Sequence, residues 1–230
     1  MLELNKIINT VIQDDCLNIL KQLPDKCIDL VLTDPPYNFQ AGGGGLYKKR
    51  GNLQKIKDSF GTDFKPEPLL NECERITKTM HGYFWCSKDI VRNYLNWAQD
   101  RKYGFNILMW HKNNPIPANN NNFLPDTEYC IFIRGKNTTF NQGLPFKLYS
   151  KYMITIVEPN NGHPTPKPLQ LISKLILLSS KETDLILDPF LGSGTTAVAA
   201  KALKRNFIGI EISPKYCEIA RQRLRQGILL

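Results

Sequence analysis

Short apolar and β-branched runs alternate with helical patterns along most of the chain, and this alternation constrains the fold more than any other feature. The runs lie around Val11-Ile12, Ile28 to Leu32, Tyr83 to Cys86, Phe105 to Trp110, Tyr129 to Ile133, Leu185 to Leu187 and Phe207 to Ile210. Helical periodicity covers Leu69 to Met80, Leu169 to Leu178, Thr195 to Leu203 and Pro214 to Leu224. Strands separated by helices pair mostly in parallel, so the expected architecture is α/β, a mostly parallel sheet with helices on both faces. Ligands of such sheets bind beyond the carboxyl ends of the strands. Thr33-Asp34 and Asp188-Pro189 both fall at such ends.

The first of these ends reads T-D-P-P-Y-N, Thr33 to Asn38. Two prolines supply no N–H, fix their own φ and push the preceding residues toward extended backbone, so the strand must stop. The last carbonyls are then left beside the Asp34 carboxylate, with the Tyr37 ring close by. This is a cluster of acceptors next to a stacking surface.

The second end, L-I-L-D-P-F-L-G-S-G-T-T-A from Leu185 to Ala197, is a strand entering a glycine turn and then a helix. Gly192-x-Gly194-x-x-Ala197, with Glu211 at the end of the next strand, matches a dinucleotide fingerprint, so a nicotinamide enzyme is a rival. Charge argues against it. Asp188 stands where a pyrophosphate would lie and suits an ammonium or sulfonium instead, and no Lys follows the glycines as a phosphate-binding P-loop requires.

At 230 residues and 42% hydrophobic, the chain is expected to form a single domain, 1–230. Two stretches interrupt the alternation: a glycine- and lysine-rich loop over about 39–62, expected to be mobile without a partner, and a stretch over about 113–161. A net charge of +9 favours a polyanion. Lys48, Lys49 and Arg50 crowd the first loop, whereas Arg221, Arg223 and Arg225 on the terminal helix read as a solvated face. The six cysteines show no C-x-x-C and read as buried thiols, with neither disulfides nor zinc expected. No secretory leader or apolar span is evident, which sets the expectation of a cytoplasmic, nucleoid-associated protein without a membrane partner.

D-P-P-Y, then H-P-T-P-K-P, then D-P-F-L-G-S-G-T-T resemble, in that order, the beta-class, circularly permuted DNA amino-methyltransferases. Q-D-D-C-L, Gln13 to Leu17, and W-H-K-N-N-P, Trp110 to Pro115, resemble further elements of that family. The resemblance implies a Rossmann-like methyltransferase fold, S-adenosyl-L-methionine as methyl donor, double-stranded DNA as partner, and a restriction-modification setting. It also makes 113–161 the target-recognition region.

The resemblance further suggests Asp188, Phe190, Gly192, Ser193, Gly194 and Thr195 around the methionine moiety of the donor. It suggests Glu211 on the ribose hydroxyls and Asp15 with Cys16 near the adenine edge. Thr165 and Lys167 are candidates for the methionine carboxylate, the alternative for Lys167 being a solvated charge before Pro168 at a helix start. Asp34 borders both donor and base. An exocyclic amine is a poor nucleophile because its lone pair is delocalised into the ring. Acceptors on its two N–H bonds, the Asp34 side chain and the Pro35 carbonyl, favour the tetrahedral nitrogen that attacks the methyl. Pro36 holds that geometry, and Tyr37 stacks on a flipped base, the alternative being ordinary packing. Asn38 orients or caps the loop, and Lys48, Lys49 and Arg50 meet phosphates. Asp in place of Ser in D-P-P-Y favours adenine-N6. Cytosine-N4 or RNA substrates, and a non-catalytic DNA-binding module, remain rivals. A homodimer and a cognate restriction endonuclease are the further partners considered.

Overall fold

The computed structural model of the chain describes residues 2–36, 64–115, 123–157 and 167–226. The expected alternation is realised as one eight-stranded sheet. In chain order the described elements are α1 (Leu4–Ile7), β1 (Thr10–Gln13), α2 (Cys16–Leu20), β2 (Leu30–Thr33), α3 (Pro66–Ile76), β3 (His81–Cys86), α4 (Val91–Asp100), β4 (Gly104–Lys112) and β5 (Thr127–Arg134). A 3₁₀ turn (Phe146–Tyr149), β6 (Tyr152–Thr155), α5 (Leu169–Ser179), β7 (Leu185–Asp188), α6 (Thr195–Ala202), β8 (Asn206–Glu211) and α7 (Pro214–Gln226) complete them.

The strand order is β1-β8-β7-β2-β3-β5-β4-β6, and only β5 pairs antiparallel with its neighbours. From β2 the chain proceeds to β3 on one side, while from β7 it proceeds to β8 on the other. The gap between the carboxyl ends of β2 and β7 is therefore the topological switch point, where open α/β sheets bind ligands. Reversal of β5 has a second consequence: its first residues, not its last, reach that same edge, with Glu128 opposite Trp110 and Tyr129 opposite Cys86.

Side chains alternate across each strand and supply two cores. On one face Val31, Phe84, Ile131, Leu187 and Ile210 pack under α2, α3 and α4; on the other Leu32, Trp85, Cys130, Ile186 and Phe207 pack under α5, α6 and α7. Five cysteines are buried and Cys27 is half-buried.

Several boundaries differ from expectation. The helix anticipated over Leu69 to Met80 begins at Pro66, whose fixed φ suits a first turn, and ends at Ile76. Thr77 turns extended (ψ 141°) and bridges to Ile28, which shortens the strand expected from Ile28 to Leu30–Thr33. The short helices α1 and α2, the 3₁₀ turn, α4 and β6 are not among the elements expected from the sequence: V-R-N-Y-L-N-W-A-Q-D buries Tyr94, Trp97 and Ala98, and Y-M-I-T is a four-residue edge strand. The stretch 113–161 contains β5, an inner strand with Cys130, Ile131 and Ile133 buried. Arg221 and Arg223 are not a solvated face. Their guanidinium groups donate to the Val11 carbonyl and to Ser193 and Thr195, because α7 packs on β1 and β8 beside α6; Arg225 alone makes a surface pair, with Glu218 at 3.7 Å. No described helix is long and apolar enough to cross a membrane.

Candidate active site

Four strand ends bring acidic side chains to one edge. Asp188 ends β7 and is almost fully buried, accepting the Phe190 N–H at 3.1 Å in the tight D-P-F turn. Burial pushes its carboxyl up to about 7, with the neighbouring Asp34 adding to the rise. Glu211 ends β8, and its carboxylate accepts the N–H of Gly192 at 2.8 Å and that of Ser213 at 2.8 Å. Burial raises this carboxyl above its ordinary value. Asp15, beyond β1, caps α2 by accepting the Leu17 and Asn18 N–H groups at 2.9 and 3.3 Å. The adjacent Cys16 is buried, and desolvation pushes its thiol to about 12, so it is neutral at physiological pH.

The glycine turn between β7 and α6 needs its glycines. Gly192 and Gly194 adopt φ of 55° and 90°, in the left-handed region that L side chains avoid. A Cβ on Gly194 would lie 2.8 Å from that of Ala220, so α7 approaches the turn directly. Arg223 fastens it from the same side by donating to the Ser193 carbonyl at 2.8 Å. Phe190 sits edge-on to Phe64 with ring centres 6.0 Å apart.

Asp34 follows β2, half-buried, with Pro35 buried and Pro36 half-buried after it. The Lys167 ammonium, from the residue before Pro168, donates a hydrogen bond to Asp34 Oδ2. Lys167 is only 7% exposed, which rules out the solvated charge considered for it. It also pairs with Glu128 Oε2 at 3.1 Å, and Glu128 Oε1 pairs with Lys112 at 2.5 Å. The Lys167 ammonium lies 5.2 Å from the centre of the Trp85 ring, and Lys112 lies 5.3 Å from that of Trp110. Burial alone would lower the pKa of Lys167, yet Asp34 and Glu128 outweigh it and raise it. Burial likewise works against an ionised Glu128, but Lys167 and Lys112 hold its carboxyl below the usual range.

Asp15, Cys16, Asp34, Pro35, Lys167, Asp188, Phe190, Gly192, Ser193, Gly194, Thr195 and Glu211 thus all belong to strand ends, turns or helix starts at the carboxyl edge. Tyr37, Asn38, Lys48, Lys49, Arg50 and Thr165 lie outside the described residues. Sequence reading missed Glu128 as a site residue and took no role from Lys112. The signal was present: Glu128 is a charge placed directly before the apolar run of β5, and Lys112 one placed two residues after that of β4.

The fit to a methyl donor can be judged from this donor set. Among the described residues no Lys or Arg lies within ion-pair distance of Asp188 or Glu211. Two buried carboxyls without a cation partner among the described residues, beside a glycine turn and an aromatic ring, suit a ligand bearing an ammonium and a diol. They repel a pyrophosphate.

An open α/β sheet with such a site at its switch point defines a Rossmann-like methyltransferase. Residues 28–222 match the N6/N4 methyltransferase family model, described as DNA methylase, and the chain belongs to that family. It is 34% identical over 253 residues to the type II methyltransferase M.HinfI of Haemophilus influenzae, spanning 97% of this chain and 70% of that protein. It is 32% identical over 241 residues to M2.LlaDCHI of Lactococcus lactis subsp. cremoris, spanning 94% and 89%. Among solved structures it resembles M1.HpyAVI in complex with SAM, with TM-score 0.68, 26% identity and coverage of 94% and 98%. It also shares the fold of the cytosine-N4-specific PvuII DNA methyltransferase, with TM-score 0.74, 16% identity and coverage of 93% and 85%.

Proposed function

We propose that this DNA methyltransferase, for which S-adenosylmethionine is the methyl donor, modifies the exocyclic N6 of adenine in double-stranded DNA after flipping the base. The carrying observation is the position of Asp34: at the switch point, beside the Asp188 end of β7, with one carboxylate oxygen already fixed by Lys167. The donor when bound supplies a methyl group activated by its sulfonium. The chain supplies placement and acceptors. Asp188 meets the ammonium, Glu211 the ribose hydroxyls, and Asp15 with Cys16 borders the adenine edge.

Asp34 and the Pro35 carbonyl receive the two N–H bonds of the target amine, localising its lone pair toward the methyl. Placing nitrogen, methyl and sulfur in line provides much of the remaining acceleration. Tyr37 stacks on the extruded base, worth about 1–3 kcal/mol. Asn38, Lys48, Lys49 and Arg50 contact the DNA, where phosphate contacts set position and not sequence. Since β5 is an inner strand, base reading within 113–161 is assigned to the segments flanking it. Adenine is favoured over cytosine-N4 by the Asp in D-P-P-Y. Of the two candidates for the methionine carboxylate, Thr165 takes it, since Lys167 is engaged by Asp34 and Glu128. One domain carries both steps, as a monomer or homodimer, and a cognate endonuclease is the companion expected of a type II enzyme.

The test is nucleoside analysis of DNA incubated with the protein and isotope-labelled donor. Label in N6-methyladenine supports the proposal, label in N4-methylcytosine overturns the choice of base, and no label in DNA overturns the whole reading.

A further inference from the structure

Lys167 is buried in a lattice of charge that spans four strands. Asp34 comes from the end of β2, Glu128 from the start of β5 and Lys112 from the end of β4, while Trp85 of β3 provides a ring face 5.2 Å from the ammonium. Within Asp34, Lys167, Glu128 and Lys112 the charges alternate and sum to zero. Lys167 stands before a helix and has a flexible stem, so its direction must come from its partners. Trp85 gives it a surface but no direction. Asp34 cannot both be oriented by the lysine and be the lysine's only anchor, since a single pair can rotate as a unit.

We propose that Glu128, itself held by Lys112, is a positioning residue that seats the Lys167 ammonium so that it fixes Asp34 Oδ2 and with it the orientation of the carboxylate that meets the target amine. This rests on the reading of Asp34 as an acceptor for that amine. Reversal of β5 makes the arrangement possible, because a strand running with its neighbours would carry its first residue to the opposite edge. Among the described residues the other titratable neighbours are held neutral or face elsewhere. The thiols of Cys86 and Cys130 are raised by burial, the first to about 12, and Asp188 lies beyond Asp34.

The test uses the full chain with Glu128→Gln, Glu128→Asp and Lys112→Met. The first readout needs no turnover: lysine acylation followed by peptide mass spectrometry. Lys167 is protected in the wild type relative to exposed Lys181, and in E128Q its labelling rises about fivefold or more as the paired state opens. The second readout is turnover. E128Q lowers kcat about tenfold or more with donor KM little changed. E128D recovers part of both effects, and K112M shows both in smaller measure.

Continued protection of Lys167 in E128Q overturns the proposal. So does a loss of kcat matched by a rise in donor KM, or one that E128D does not partly recover, either of which would mark Glu128 as merely structural. Failure of the wild type to methylate DNA, with the labelling contrast intact, would instead overturn the functional reading while leaving Glu128 as the seat of Lys167.

Discussion

Glu211 Oε2 accepts the Gly192 N–H at 2.8 Å, so the carboxylate ending β8 fastens the glycine turn that follows β7. Its other oxygen accepts the Ser213 N–H at 2.8 Å. A residue expected only to meet ribose hydroxyls therefore also shapes the turn beside them. Glu211→Gln places an NH₂ against one of these N–H donors and removes the charge. Hydrogen bonds to charged groups contribute about 1.5–3 kcal/mol each, so donor affinity should fall by about tenfold to a hundredfold. Calorimetric titration with the donor checks this, and unchanged affinity would separate Glu211 from the site.

Gly194→Ala tests the turn from its other side. The new Cβ meets that of Ala220 at 2.8 Å while φ stays at 90°, a conformation that costs a non-glycine residue about 1–2 kcal/mol before any clash. Backbone carries α7 close to this point, so the neighbour cannot rotate away. A chain of 230 residues should lose about 4–10 °C in Tm, with weaker donor binding. Differential scanning calorimetry with and without donor reads both.

Most of the fold and half of the site were legible because they follow from local chemistry. Alternating apolar runs announce a sheet, and D-P-P and G-S-G announce where strands must stop. The network around Lys167 was not legible. Its partners Asp34, Glu128 and Lys112 come from β2, β5 and β4, and only the strand order brings them together. Arg223 was misread for a similar reason. On a helical wheel it is a surface charge, and only packing of α7 over the glycine turn gives it the Ser193 carbonyl. The helix α4 was passed over although Val91, Tyr94, Leu95 and Ala98 follow the i, i+3, i+4, i+7 helical spacing, because polar residues interrupt them and no apolar run of any length marks the segment.

Asp34→Asn should abolish most turnover while sparing donor binding. The amide is nearly isosteric, but it loses the charge that draws the amine's protons, and its NH₂ opposes either Lys167 or the substrate. Removing one such preorganised group costs about 10²–10³ in kcat. Folding should survive the change, because Lys167 keeps Glu128 as a counter-charge at 3.1 Å and is not left buried alone. Single-turnover methylation alongside donor titration separates the two effects. Equal losses in both would place Asp34 chiefly in the donor site.

Asp188 makes donor binding depend on pH in a stated direction. Its carboxyl is raised to about 7 by burial, above the ordinary carboxylate value, so the folded protein without donor holds a proton there that the unfolded chain has released. Stability without donor therefore falls as pH rises from about 4 to about 7, and the loss is complete above that window. A cationic ligand needs the ionised form, so binding below about pH 7 must release a proton, and affinity should rise with pH through that value, up to the pH at which the ligand's own ammonium deprotonates. Calorimetry in buffers of contrasting ionisation enthalpy reads the proton directly. Asp188→Asn should flatten both dependences, stabilise the protein without donor at alkaline pH and weaken binding there. S-adenosylhomocysteine, which keeps the ammonium and lacks the sulfonium, separates the two cations: a pH dependence as steep as the donor's assigns Asp188 to the ammonium, and its disappearance assigns Asp188 to the sulfur.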